Sequence, residues 1–150
     1  MSKSSSAREF RKVDVDKFDE DVFQDDQAEE VQDQGPSEGD IQQLLMSKKN
    51  NEALKLLLEQ APAGSKNKER KDKAFDLIIR VLTAYKSSEV EAAAKSLNFH
   101  EIDVLMKYIY RGFSEPSDSY CASLLTWHDK LVAHGGHGSI IRVLADRKTV

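Results

Sequence analysis

KDKAFDLIIRVLTAYK, residues 71–86, decides the fold. From Ala74 to Tyr85 it is apolar on nearly all sides, and only Asp76, Arg80 and Thr83 interrupt it. Those three follow one another at spacings of four and three, which puts them in one narrow stripe of a helix. A helix covered everywhere else belongs inside a helical body. The spacing therefore predicts a central helix over about residues 68–86.

Helical signals continue on both sides. Toward the C-terminus, Ser88 with Glu91 predicts the cap of a helix carrying Val90, Ala93, Ala94 and Leu97. Asn98 with Glu101 predicts the next cap, with Ile102, Leu105, Met106 and Ile109 inward, Gly112 as a left-handed stop and Phe113 folding back after it. SEPSD opens a further helix whose expected core face is Cys121, Leu124, Leu125, His128, Leu131 and Val132, ended by Gly135-Gly136. Ser139 is expected to cap a last helix with Ile140, Ile141 and Leu144. Toward the N-terminus, Ser37 with Asp40 reads as a capping box before Ile41, Leu44 and Leu45. A turn at Asn50-Asn51 then leads to Leu54, Leu57, Leu58 and Ala61, with Pro62 just beyond. No alternating run argues for a strand. The expected fold is all-α: a superhelical array of about seven short antiparallel helices over residues 39–150, without a strict repeat period.

Residues 1–38 read differently. Residues 1–40 hold 13 acids against 5 bases, net −8, whereas residues 41–150 hold 13 acids against 17 bases, net +4. This separation predicts an extended, largely disordered acidic arm ahead of a mildly basic body. Gln24 to Glu38 has almost nothing to bury, and QGPSEG punctuates its end, so it reads as a linker. Yet Phe10, Val13, Val15, Phe18, Val22 and Phe23 stand within the acidic run. A buried Val or Phe contributes about 1.5–3 kcal/mol, while each ordered residue costs roughly 1–2 kcal/mol in backbone entropy. Alone, such an arm binds weakly. Tethered to a body already docked on the same assembly, it binds at an effective concentration near millimolar. The linker, stretched, reaches about 45–50 Å. A pegged arm on a slack connection suits the joining of two neighbours.

The residues of catalytic type do not assemble into a mechanism. Cys121 is the sole cysteine, so no internal disulfide forms and a reducing compartment such as the cytosol is expected. Cys121 and His128 are seven apart on one helix, roughly 10 Å at about 1.5 Å rise per residue, too far for a thiol–imidazole pair. Cys121, His128, His134 and His137 match no standard zinc spacing. GGHGS lacks the strand and the Lys-Ser/Thr of a phosphate-binding loop, and reads as a tight turn between helices. KNKERKDK, residues 66–73, reads as a solvated helical face, and RGF at 111–113 lacks the strand context of an RNA-binding sheet. No apolar run spans a membrane, and Lys148 stands where a PDZ ligand needs Ser or Thr. No enzyme, cofactor or metal site is expected.

AREFRKVDVDKFDED (residues 7–21), DVLMKYIYRGFSEPSD (103–118) and LLTWHDKLVAHGGHGSIIRVLADRKTV (124–150) closely resemble subunit five of the actin-related protein 2/3 complex, a nucleator of branched actin filaments. The resemblance implies a noncatalytic structural subunit, cytoplasmic and cytoskeletal, in actin-rich cell projections. It implies a helical core seated on the complex's β-propeller subunit one, near subunit four, and an arm reaching actin-related protein two. Actin filaments are met through the complex, and the subunit itself has no nucleotide or metal site. Carried onto this sequence, Arg11, Lys12, Val13, Asp14, Val15, Asp16 and Phe18 form the arm's contact, with Phe10, Val22 and Phe23 beside them. Tyr108 and Trp127 lie beside the ideal core stripes, so they are expected either as interface anchors or as interior packing. A second reading is a free α-helical adaptor that binds nucleic acid or anionic membrane through a basic face.

Overall fold

The computed structural model describes residues 37–150. Among the described residues it is helical throughout: α1 (Glu38–Met46), α2 (Asn50–Glu59), α3 (Lys68–Thr83), α4 (Ser87–Lys95), α5 (Phe99–Ser114), α6 (Cys121–Gly135) and α7 (His137–Ala145). Short links make successive helices fold back on one another. α1 packs on α2 and α3, α2 on α3 and α5, and α6 on α3, α4, α5 and α7. The expected all-α array of about seven helices is what the described residues form.

α3 behaves as its sequence dictates. Ala74, Phe75, Leu77, Ile78, Val81 and Leu82 are buried, and Asp76, Arg80 and Thr83 form the exposed stripe. Asn67 caps it, its Oδ1 accepting from the Arg70 amide at 3.2 Å. The interior is nevertheless centred on α5 as much as on α3. Ile102, Leu105, Met106 and Ile109 are buried as expected, but so are Val104, Tyr108 and Gly112 on another face. α5 is covered from two sides because α2 and α6 as well as α7 lie against it.

The caps divide into those with reciprocal bonds and those without. At α5 the Asn98 Oδ1 accepts from the Glu101 amide at 2.9 Å, and the Glu101 carboxylate accepts from the Asn98 amide at 2.7 Å. Two orphan amides are thereby satisfied. At α1 Ser37 occupies the cap position without a capping bond; Glu38 instead binds Gln42 at 3.1 Å and Arg80 at 3.2 Å. α4 begins before the expected Ser88, because the Glu89 carboxylate reaches back to the Lys86 amide at 3.3 Å. α7 begins at His137, with Gly136 as the cap at φ 71°. Ser139, expected to cap it, is fully buried and its hydroxyl donates to the Gly136 carbonyl at 2.8 Å.

Two turns also differ from expectation. Asn50-Asn51 is the first turn of α2, and the chain reverses instead through Lys48, at φ 59°. Gly112 is not a left-handed stop: it sits inside α5, where a Cβ would stand 2.5 Å from the Leu124 Cδ1 of α6. It is glycine so that α5 and α6 can approach.

Candidate interaction surface

α5 and the C-terminal stretch run side by side in one register. Asp103 accepts from Arg142 through both carboxylate oxygens, at 2.7 and 2.9 Å. One helical turn on, Lys107 Nζ donates to Asp146 at 2.5 Å. A further turn on, Arg111 donates to the Val150 carbonyl at 3.2 Å. Residues 103, 107 and 111 lie on one line of α5, so the pairing fixes the rotation of α7. With that rotation, Ser139 points inward while His137, Ile141 and Leu144 share an outward line. Ile141 is 67% exposed and Leu144 69%.

The neighbouring α6 is rotated away from its expected face. It buries Leu124, Trp127 and Leu131, leaving Cys121, His128 and Val132 half-buried. Leu125, expected in the core, is 62% exposed. Ala122, Leu125, Asp129 and Ala133 then form an outer line that is apolar but for one carboxylate. These α6 and α7 lines are the candidate docking faces. Phe99, at the start of α5, and Met46, at the end of α1, are also exposed.

Of the two expectations for Trp127 and Tyr108, interface anchor or interior packing, the structure bears out the interior one. Both are fully buried, so neither presents a surface to a partner. Trp127 Nε1 donates to the Leu82 carbonyl at 3.3 Å, one of the end carbonyls that α3 cannot satisfy internally. Its ring packs edge-on against Tyr85 at 5.1 Å, and the Tyr85 hydroxyl donates to Asn51 at 2.8 Å. Burial raises the Tyr85 pKa, and Glu89 adds to the effect. The Tyr108 hydroxyl has no hydrogen-bond partner, and burial pushes its pKa up to about 12. The missed signal in both cases is a second covered face, which a single stripe does not encode.

Reactive side chains are spent on packing. His128 stands with its Nε2 within 3.5 Å of the Tyr110 hydroxyl and its ring 5.9 Å from that of Phe113. Cys121, half-buried, lies about two turns away on the same helix. Among the described residues no group of three or more His, Cys, Asp or Glu could hold a metal ion, and no helix is long and apolar enough to cross a membrane. GGHGS forms the tight turn between α6 and α7. The basic 66–73 stretch opens α3, with Lys66, Lys68 and Lys73 exposed. Phe10, Arg11, Lys12, Val13, Asp14, Val15, Asp16, Phe18, Val22 and Phe23 lie outside the described residues.

Residues 9–150 match the family model described as the ARP2/3 complex 16 kDa subunit (p16-Arc). The chain is 44% identical over 150 residues to actin-related protein 2/3 complex subunit 5-C of Xenopus laevis, covering all of both chains. It is 42% identical over 153 residues to the human subunit 5-like protein, again covering both chains fully. A probable subunit 5 from Caenorhabditis elegans is 38% identical over 141 residues, covering 93% of this chain and 96% of the worm protein.

Proposed function

The chain belongs to the ARP2/3 complex 16 kDa subunit (p16-Arc) family, and from that membership we propose that it is a noncatalytic structural subunit of the complex. In this role it supports nucleation of branched actin filaments in the cytoplasmic cytoskeleton and in actin-rich projections. The helical body docks on the β-propeller subunit, beside subunit four. The arm carries Phe10, Val13, Val15, Phe18, Val22 and Phe23 across to actin-related protein two, with Arg11, Lys12, Asp14 and Asp16 setting its register.

One observation carries the reading. The family match begins at residue 9 and runs through 150, so it takes in the pegged acidic stretch as well as the helical body. A match to the body alone would leave the arm unaccounted for. The docked body supplies the effective concentration that weak anchors need, and the linker between Gln24 and Ser37 supplies reach.

The body faces best suited to the propeller are the outer lines of α6 and α7, through Leu125, Ile141 and Leu144. Ile141 and Leu144 lie one turn apart on α7, both exposed, and contiguous exposed apolar surface is what marks interaction sites. The test is co-purification of the assembled complex around three forms of the full chain. Wild type retains every subunit. Ile141→Asp with Leu144→Asp loses the propeller subunit while the isolated chain stays folded. Deletion of residues 1–23 keeps the propeller subunit and loosens actin-related protein two. Undiminished retention of actin-related protein two by the deleted form refutes the tether, and undiminished propeller binding by the double variant refutes the assigned face.

A further inference from the structure

After α7 ends at Ala145, residues 146–150 fold back along the body. Within the segment the Lys148 amide donates to Asp146 at 2.9 Å. The Gly64 amide, from the link between α2 and α3, donates to the Thr149 carbonyl at 3.2 Å. Lys71 Nζ of α3 donates to the Thr149 hydroxyl at 2.7 Å. Arg111 of α5 donates to the Val150 carbonyl, and the Val150 side chain is buried with the core. The segment is a strap that joins the α2–α3 link, α3 and α5.

On the polar side of this strap Lys71 and Arg111 stand close together. Lys71 has its pKa lowered by burial and by the nearby Arg111 guanidinium. Arg111 is itself wedged over the Phe75 ring at 4.7 Å, donating to the Lys71 carbonyl and pairing with Asp72. The strap's own acid, Asp146, is paired with Lys107. Lys71 therefore faces a neutral hydroxyl where an anion would suit it better.

Several other surface hydroxyls are placed differently. Ser47, Thr83, Ser114 and Thr126 turn back to donate to carbonyls of their own helices. Ser117 and Ser119 bond each other, and Glu115 and Asp118 stand in the same acidic link. Thr149 is exposed, lies outside any helix, follows Arg147 and Lys148, and meets a cation from a distant element.

We propose that Thr149 is a phosphorylation site and that Lys71, backed by Arg111, is the receiver of its phosphate. In the modifying step the bond from the γ-phosphorus of a nucleoside triphosphate to its bridging oxygen breaks. A bond from that phosphorus to Thr149 Oγ1 forms, the hydroxyl proton goes to the kinase's base, and the nucleoside diphosphate leaves. The basic residues just before Thr149 suit a kinase with an acidic substrate groove. The product carries a charge of about −1.5 to −2 and three acceptor oxygens, enough for one or two charge-assisted bonds to the clasp. It fastens the strap rather than releasing it.

The test uses the full chain and a kinase chosen because it phosphorylates the free peptide Ala145–Val150. Mass spectrometry is expected to find the label on Thr149 of the folded chain, and Thr149→Ala to lose it. At low salt the phosphorylated chain is expected to melt roughly 3–5 °C higher than the unmodified one, and the gain should shrink at high salt. In a Lys71→Met chain, with Lys71→Gln as a second variant, phosphorylation should bring no gain. A folded chain unlabelled at Thr149 overturns the proposal. So does a phosphorylated chain that melts at the same or a lower temperature, and so does a gain that survives loss of Lys71.

Discussion

Replacing Gly112 with alanine sets two known effects against each other. Within a helix alanine is favoured over glycine by about 1 kcal/mol, because glycine loses more backbone freedom. Here the new methyl would stand 2.5 Å from Leu124 Cδ1, 3.6 Å from the Tyr120 ring and 3.7 Å from Phe75. Overfilling a packed core costs about 1–3 kcal/mol. Leu124 is fully buried, so its methyl has nowhere to retreat, and the overlap outweighs the propensity. Gly112→Ala is expected to destabilise the body by up to about 2 kcal/mol, which lowers the melting temperature by up to roughly 8 °C. Leu124→Ala alone should cost about 2–5 kcal/mol through its cavity. Together the two changes should cost at least about 1 kcal/mol less than their sum, since the methyl added at position 112 enters the vacated space. Urea unfolding of wild type, both single variants and the double variant measures the coupling. A Gly112→Ala chain more stable than wild type by the full helix-propensity gain of about 1 kcal/mol refutes the close-approach argument. So does strict additivity, because a glycine needed for a left-handed turn would be penalised whatever occupied position 124.

Tyr108→Phe keeps the ring and removes a buried hydroxyl without a partner, so stability is expected to hold or rise by up to about 1–2 kcal/mol; a loss above about 1 kcal/mol in the same assay would reveal a bond that the geometry lacks. Asp146 has its carboxyl held below the usual value by the Lys107 ammonium and the Lys148 amide. A carboxyl held low stabilises the fold above its ordinary pKa and ceases to do so as pH falls through the folded value. The stability gap between wild type and Asp146→Asn should therefore be full at neutral pH and close below about pH 4, and a gap that persists unchanged in acid would assign it to packing. Ile141→Asp with Leu144→Asp should shift the stability of the isolated chain by no more than about 0.5 kcal/mol for each change, read by thermal unfolding; a collapse of the fold would mean that the α7 line is interior.

Helix existence was legible because burial repeats at the helical period, and α3 announced both its buried and its exposed residues. Cap positions were legible only where the chemistry is reciprocal. Asn98 and Glu101 exchange both bonds, whereas Ser37 and Ser88 match the same pattern without making it. Lys48 gave no sign of a left-handed turn, because nothing in a lysine favours one. Gly112 gave the right residue and the wrong reason, since a glycine at a helix end and a glycine at a helix crossing look alike in one dimension. Tyr108 and Trp127 were read beside the core because one stripe per helix was assumed. α5 and α6 each meet several neighbours, so their covered arc is wider than one stripe.

The misplaced apolar residues carry the larger lesson. Leu125, Ile141 and Leu144 follow helical spacing as faithfully as the residues that are buried, yet the ion pairs of α5 turn two of them outward. Sequence periodicity records which positions are to be covered and is silent on whether the cover belongs to the same chain. All three lie in the single stretch 124–144, within the family-matched region, while Leu124, Trp127 and Leu131 of the same stretch are fully buried. On α7, Arg142 is paired with Asp103 of α5 while Ile141 and Leu144 stand in water. Leu125, Ile141 and Leu144 are therefore the face on which we propose that the body docks.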